Sequence, residues 1–161
     1  AVWMERRGIS PADFAINHPA GSLGKQLTMT VADLMVPTSQ LPALDPDTPL
    51  PEVISQLTQG AIGSGWVEHP SVSGQLLGLI TDGDLRRALR DHSSNSWAEL
   101  KASDLMTTDP ITVTAELMAV EAIKRMEHNR RKPISVLPVV NASGRLEGLL
   151  RLHDLVQAGL A

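Results

Sequence analysis

Gly78-Leu79-Ile80-Thr81-Asp82-Gly83-Asp84-Leu85 returns 70 residues later as Gly148-Leu149-Leu150-Arg151-Leu152-His153-Asp154-Leu155. Each stretch runs from apolar residues into a polar step ending in Asp-Leu, the pattern of a strand that feeds directly into a helix. A second landmark repeats at nearly the same spacing. Val31-Ala32-Asp33-Leu34-Met35 returns as Ala102-Ser103-Asp104-Leu105-Met106, with Asp33 and Asp104 71 residues apart. Two landmarks sharing one offset mark a tandem pair of α/β units of about 60 residues each, too long for a solenoid period. Paired half-domains of this kind pack face to face, and the cleft between them is the natural ligand site.

In the first unit, Val31–Met35 predicts a helical turn, Leu41–Leu44 a short strand, and Pro49–Gln59 an amphipathic helix with Leu50, Val53, Ile54 and Leu57 on one face. Strands are expected at Trp66–Glu68 and Leu76–Thr81, then a helix over Asp82–Arg90. The second unit repeats the order. A turn at Asp104–Met106 leads to a strand at Ile111–Val113. A helix over Ala115–Asn129 carries Leu117, Val120, Ile123 and Met126 on one face, and a hairpin turns at Asn141-Ala142-Ser143-Gly144. His153–Leu160 closes the unit as a helix. Each unit is thus β-α-β-β-α, and Asp91–Ser96 reads as a polar, flexible linker. The expected fold class is α/β (α+β), two such units packed as a pseudo-two-fold pair. Residues 1–28 belong to neither unit, 29–92 form the first and 93–161 the second. Ser10-Pro11 reads as a helix start there, with Ser at the N-cap and Pro at N1.

Of 161 residues, 42% are hydrophobic, enough for one core or two small ones sharing an interface. A net charge of −4 argues against non-specific nucleic-acid or membrane binding. No apolar run approaches the roughly 18–20 residues that span a bilayer. The absence of cysteine excludes disulfides and thiolate metal sites and fits a reducing cytoplasm. The five histidines show no ligand spacing, so no metal site is expected. Gly21-Ser22-Leu23-Gly24-Lys25-Gln26 lacks the glycine spacing and the hydroxyl of a phosphate loop. A start at Ala rather than Met suggests a piece of a longer protein.

The tandem Gly-apolar-apolar-Thr-x-x-Asp-Leu junction resembles that of cystathionine-β-synthase-type (CBS) domain pairs, over residues 29 to 161. A second resemblance lies upstream. Phe14-Ala15-Ile16-Asn17-His18-Pro19-Ala20-Gly21-Ser22-Leu23-Gly24-Lys25, with the Asp-Leu-Met and Thr-Asp-Gly-Asp-Leu-Arg-Arg stretches that follow, is similar to arabinose 5-phosphate isomerases of the KpsF/GutQ type. Those enzymes carry a sugar isomerase (SIS) domain before the CBS pair. Ala20 stands where that family usually has Gly, and only the tail of the SIS domain, to about Leu27, is present.

These resemblances imply a parent that interconverts D-ribulose 5-phosphate and D-arabinose 5-phosphate, in the pathway to Kdo (3-deoxy-D-manno-octulosonate) and lipopolysaccharide. They imply a homo-oligomer and a non-catalytic role for the segment in hand. His18 matches the active-site histidine of the isomerase, where an imidazole titrating near neutrality shuttles protons. In CBS pairs the junction Asp holds ribose hydroxyls and the Thr contacts phosphate, which places Thr81, Asp84 and Asp154 as ligand contacts. Arg151 replaces the second hydroxyl and could clamp a phosphate itself. Arg130-Arg131-Lys132 could add positive charge at the cleft mouth. Thr81 and Asp84 also have a purely structural reading, as helix N-cap and first-turn acid. The implied ligand is a nucleotide or nucleotide sugar such as CMP-Kdo, with no bound cofactor. Two other readings stay open: a ligand-free oligomerisation scaffold, and an adenine-nucleotide sensor in another parent.

Overall fold

The computed structural model describes residues 23–60, 62–128 and 134–161. Its elements run α1 (Leu23–Thr28), α2 (Val31–Leu34), β1 (Val36–Pro37), β2 (Ala43–Leu44), α3 (Leu50–Gln59), β3 (Ser64–Glu68), β4 (Leu76–Thr81), α4 (Asp82–Asp91), α5 (Ala102–Leu105), β5 (Thr107–Thr108), α6 (Ala119–Glu127), β6 (Val136–Val140), β7 (Leu146–Arg151) and α7 (Leu152–Gln157). The first unit keeps the expected β-α-β-β-α order. In the second, Ile111–Val113 is not a strand. Asp109 takes a left-handed φ of 48° and Pro110 follows it, so the chain enters the sheet only at Val113, in a single parallel bridge to Val139.

Two sheets form, ordered β2-β3-β4-β5 and β1-β7-β6. The edge strands are exchanged between the repeats. β1, from the first repeat, pairs antiparallel with β7 (Val36 opposite Leu149), and β5, from the second, pairs antiparallel with β4 (Thr107 opposite Leu79). The short helices before them cross over as well. Val31 of α2 is buried with Val113, Leu137 and Leu155, whereas Ala102 and Leu105 of α5 are buried with Val53, Val67 and Ile80. Backbone bonds repeat the relation: Val31 N–H donates to Leu117 at 2.8 Å and Ala102 N–H to Thr48 at 2.8 Å.

Helix α3 buries Leu50, Val53 and Leu57, as its period requires, while Ile54 lies at the rim of the stripe, 38% exposed. Helix α6 starts at Ala119, later than the spacing suggests, and turns Ala119, Ala122, Ile123 and Met126 inward. Val120 is only half-buried. Between the sheets lies a third cluster, with Trp66 and Leu79 from one and Val36, Leu146 and Leu149 from the other. Because Ser64 pairs with Thr81 and Trp66 with Leu79, these four share the face turned toward the second unit. The hairpin turns also meet. Leu76 N–H donates to Gly144 at 3.3 Å and Leu146 N–H to Gly74 at 2.9 Å. The expected flexible linker is instead folded into a 3-10 turn over Ser94–Glu99, where Trp97 Nε1–H donates to the His92 carbonyl at 3.0 Å. Beyond it, the Lys101 ammonium reaches Asp47 at 3.1 Å, which raises its pKa.

Candidate functional site

Strand β4 runs straight into α4, and the junction is a capping box. The Thr81 hydroxyl oxygen accepts the Asp84 N–H at 3.3 Å, while the Thr81 N–H and O–H donate to Asp84 Oδ2 at 2.9 and 3.0 Å. Asp84 Oδ1 accepts from Arg87 Nη2 at 2.6 Å and from the Thr107 hydroxyl, on the exchanged strand β5, at 3.3 Å. Asp84 is 8% exposed, and its buried charge is offset by the Arg87 ion pair together with these hydrogen bonds. A carboxylate offers about four acceptor positions, and these donors take all of them. A ligand diol reaching Asp84 must therefore displace Arg87 or Thr107. Beside this carboxylate lies a cavity of about 270 Å³, with Leu79 and Thr81 on one wall, Thr107 and Ile111 on another, and Ile134 and Ser135 on a third.

The second junction is built differently. Arg151 is the N-cap residue of α7 and gives no side-chain cap. Its guanidinium makes a two-pronged contact with Asp154, Nε to Oδ2 and Nη2 to Oδ1, both at 2.8 Å, with each side chain 22% exposed. A larger cavity of about 600 Å³ lies between the units, lined by Thr81, Arg86 and Arg87 of the first and by Ser135, Arg151 and His153 of the second. Thr81, Arg87 and Ser135 border both cavities, which therefore adjoin.

The structure thus brings Thr81 and Asp84 together in one cleft, and Arg151 and Asp154 together at the other junction. His18, Arg131 and Lys132 lie outside the described residues. Sequence reasoning missed Thr107, Ile111, Ile134 and Ser135. The only signal for Thr107 is its place just after a repeated Asp-Leu-Met landmark, and that becomes informative only once strand exchange is known. Arg87, three residues after Asp84, stands at the spacing that suits an ion pair along one helix. Among the described residues, no cluster of His, Asp or Glu is arranged to hold a metal ion, and no helix is long and apolar enough to cross a membrane.

Known proteins resemble this chain in sequence and in fold. Arabinose 5-phosphate isomerase KdsD of Pseudomonas aeruginosa is 40% identical over 159 residues, covering 98% of this chain and 46% of that protein. Arabinose 5-phosphate isomerase KpsF of Escherichia coli is 38% identical over 151 residues, 94% of this chain and 43% of that protein. The chain spans somewhat under half the length of these curated relatives. Among solved structures, CBSX2 of Arabidopsis thaliana in complex with AMP superposes with a TM-score of 0.66 at 27% identity, over 81% of this chain and 96% of that one. Residues 31–91 and 102–161 each match the CBS domain, so with two matching halves joined about a pseudo-two-fold axis, the chain belongs to the CBS-domain family as a tandem pair.

Proposed function

We propose that this chain is the non-catalytic, regulatory CBS pair of a cytoplasmic sugar-phosphate isomerase that interconverts D-arabinose 5-phosphate and D-ribulose 5-phosphate. The observation that carries the reading is the 40% identity to a named isomerase across 98% of the chain. In the intact protein an SIS domain precedes the pair, His18 belongs to its active site, and the whole is a homo-oligomer. The pair binds a nucleotide or nucleotide sugar in the cleft beside Asp84. The AMP held by CBSX2 supports the nucleotide, and the isomerase names of the relatives support a product further along the same route, such as CMP-Kdo. The chemistry suits this class of ligand. Asp84 accepts ribose hydroxyls in exchange for Arg87 or Thr107, Thr81 and the start of α4 meet phosphate, and Ile111 and Ile134 offer apolar walls to a base. A ligand that prefers one arrangement of the units transmits about 1–3 kcal/mol to the attached isomerase.

Thermal shift against AMP, ATP, CMP and CMP-Kdo tests this reading. A ligand at about 100 times its Kd adds about 2.7 kcal/mol, or roughly 5–10 °C at this size. The Ile111→Arg variant fills the cleft from a side chain already 44% exposed, so it leaves the fold intact and is expected to abolish the shift. A cytidine preference supports end-product sensing, and an adenine preference supports an energy sensor. One observation favours the scaffold alternative: Asp84 and Asp154 are both already paired within the chain. No shift with any nucleotide would decide for it.

A further inference from the structure

We infer that the pair takes one nucleotide per chain, and that Arg151 is the residue that keeps the second, pseudo-symmetric junction closed to a ligand. The inference rests on the nucleotide reading of the Asp84 cleft and adds which of the two junctions is used. Strand register fixes the positions that correspond. Thr81 and Arg151 are the N-cap residues of α4 and α7, and Asp84 and Asp154 each stand three residues further on. Thr107 lies opposite Leu79 and Val36 opposite Leu149, so these two residues of the exchanged edge strands correspond as well. Arg87 and Gln157 each follow their cap by six residues.

Each side chain that donates to Asp84 is replaced at the second junction. Arg151 stands for Thr81 and gives α7 no side-chain cap, so the hydroxyl that would meet phosphate is gone. Val36, buried against Leu149 between the sheets, stands for Thr107. Gln157, exposed, stands for Arg87. Only the carboxylate is retained, and it is already held. Arg151 Nε and Nη2 take its two oxygens at 2.8 Å each, with both side chains only 22% exposed. A cis-diol binds a carboxylate through the same two oxygens, so at Asp154 it competes with the whole fork at once. At Asp84 it displaces a single bond, from Arg87 or from Thr107. The planar guanidinium is also shaped in advance for this contact, and partial burial shields the pair from screening. Arg151 is therefore a resident occupant of the position a second ligand would need.

Equilibrium dialysis with labelled AMP and labelled CMP counts the nucleotide bound per chain, and circular dichroism checks that each variant is folded. The wild-type chain is expected to saturate at one, and Ile111→Arg, which fills the first cleft, at none. Arg151→Thr writes the first junction's Thr-x-x-Asp box into the second and is expected to raise the count to two. The added site is expected to be at least about tenfold weaker, because Val36 and Gln157 still stand in for Thr107 and Arg87. Combining Ile111→Arg with Arg151→Thr is expected to leave one. Two nucleotides on the wild-type chain, one kept by Ile111→Arg, or a count that stays at one in folded Arg151→Thr overturns the proposal. Were Arg151→Thr not to fold, the first two counts decide. A wild-type chain that binds neither nucleotide defeats the reading of the Asp84 cleft. Arg151→Thr then decides the present proposal separately: one nucleotide gained supports Arg151 as the closing residue, and none overturns that as well.

Discussion

Gly78 and Gly148 explain at the level of single atoms why the two repeated landmarks go together. A Cβ on Gly78 would lie 2.5 Å from the sulfur of Met106, and one on Gly148 would lie 2.5 Å from the Val36 carbonyl oxygen and 2.9 Å from the sulfur of Met35. The glycine that opens each strand-to-helix motif thus makes room for the Asp-Leu-Met segment of the other repeat. Gly148→Ala meets unyielding backbone and is expected to cost about 1–3 kcal/mol. Gly78→Ala meets a flexible methionine and is expected to cost less. Urea unfolding measures both, and wild-type stability in Gly148→Ala would contradict the close approach. At the other end of the strand, Thr81→Ala removes a cap and is expected to cost about 1 kcal/mol in the same assay. The glycines are visible in the sequence as repeated letters. Their reason is not, because it lies in the other repeat.

Helices are the elements most legible in the sequence. The 3.6-residue period in Leu50, Val53 and Leu57 marks the buried stripe of α3, and only Ile54, at its rim, departs from it. Leu57→Ala is therefore expected to cost about 2–5 kcal/mol, whereas Ile54→Lys should stay within about 0.5 kcal/mol of wild type. Equal losses for the two in denaturant unfolding would mean that the stripe is wrongly oriented. Strands β1 and β5 are illegible for a physical reason. Two residues carry no alternation, and Val36 finds its partner Leu149 more than a hundred residues away. The candidate site divides along the same line. Thr81, Asp84, Arg151 and Asp154 stand in repeated motifs that single them out, and the i,i+3 spacing of Arg151 and Asp154 already allows their ion pair. Thr107, Ile111 and Ile134 arrive from other elements, and only the fold brings them to the cleft.

For the molecule as a whole, exchanged edge strands and joined hairpin turns tie the two units into one cooperative body. Calorimetry is expected to show one transition whose van't Hoff and calorimetric enthalpies agree, at about 100 kcal/mol near 60 °C. Two separable transitions would sink this expectation. Cutting the chain within Ser94–Glu99 should leave each half without its fourth or third strand and without part of its core. Circular dichroism should find each half largely unfolded alone and refolded on mixing with the other.

Strand exchange also bears on ancestry and on what fusion permits. One repeat, with its edge strand directed at a neighbour's sheet, is half of a domain-swapped dimer, and two identical copies would close the same axis. Joining them through the segment around Ser94–Glu99 sets a local concentration on the order of millimolar, so association no longer depends on how much protein the cell makes. Fusion also releases the halves from identity. In a true homodimer every change appears twice, so equivalent positions could never hold threonine in one half and arginine in the other. In this chain Thr81 and Arg151 occupy equivalent places, and the pair can present two chemically different faces to whatever enters between them.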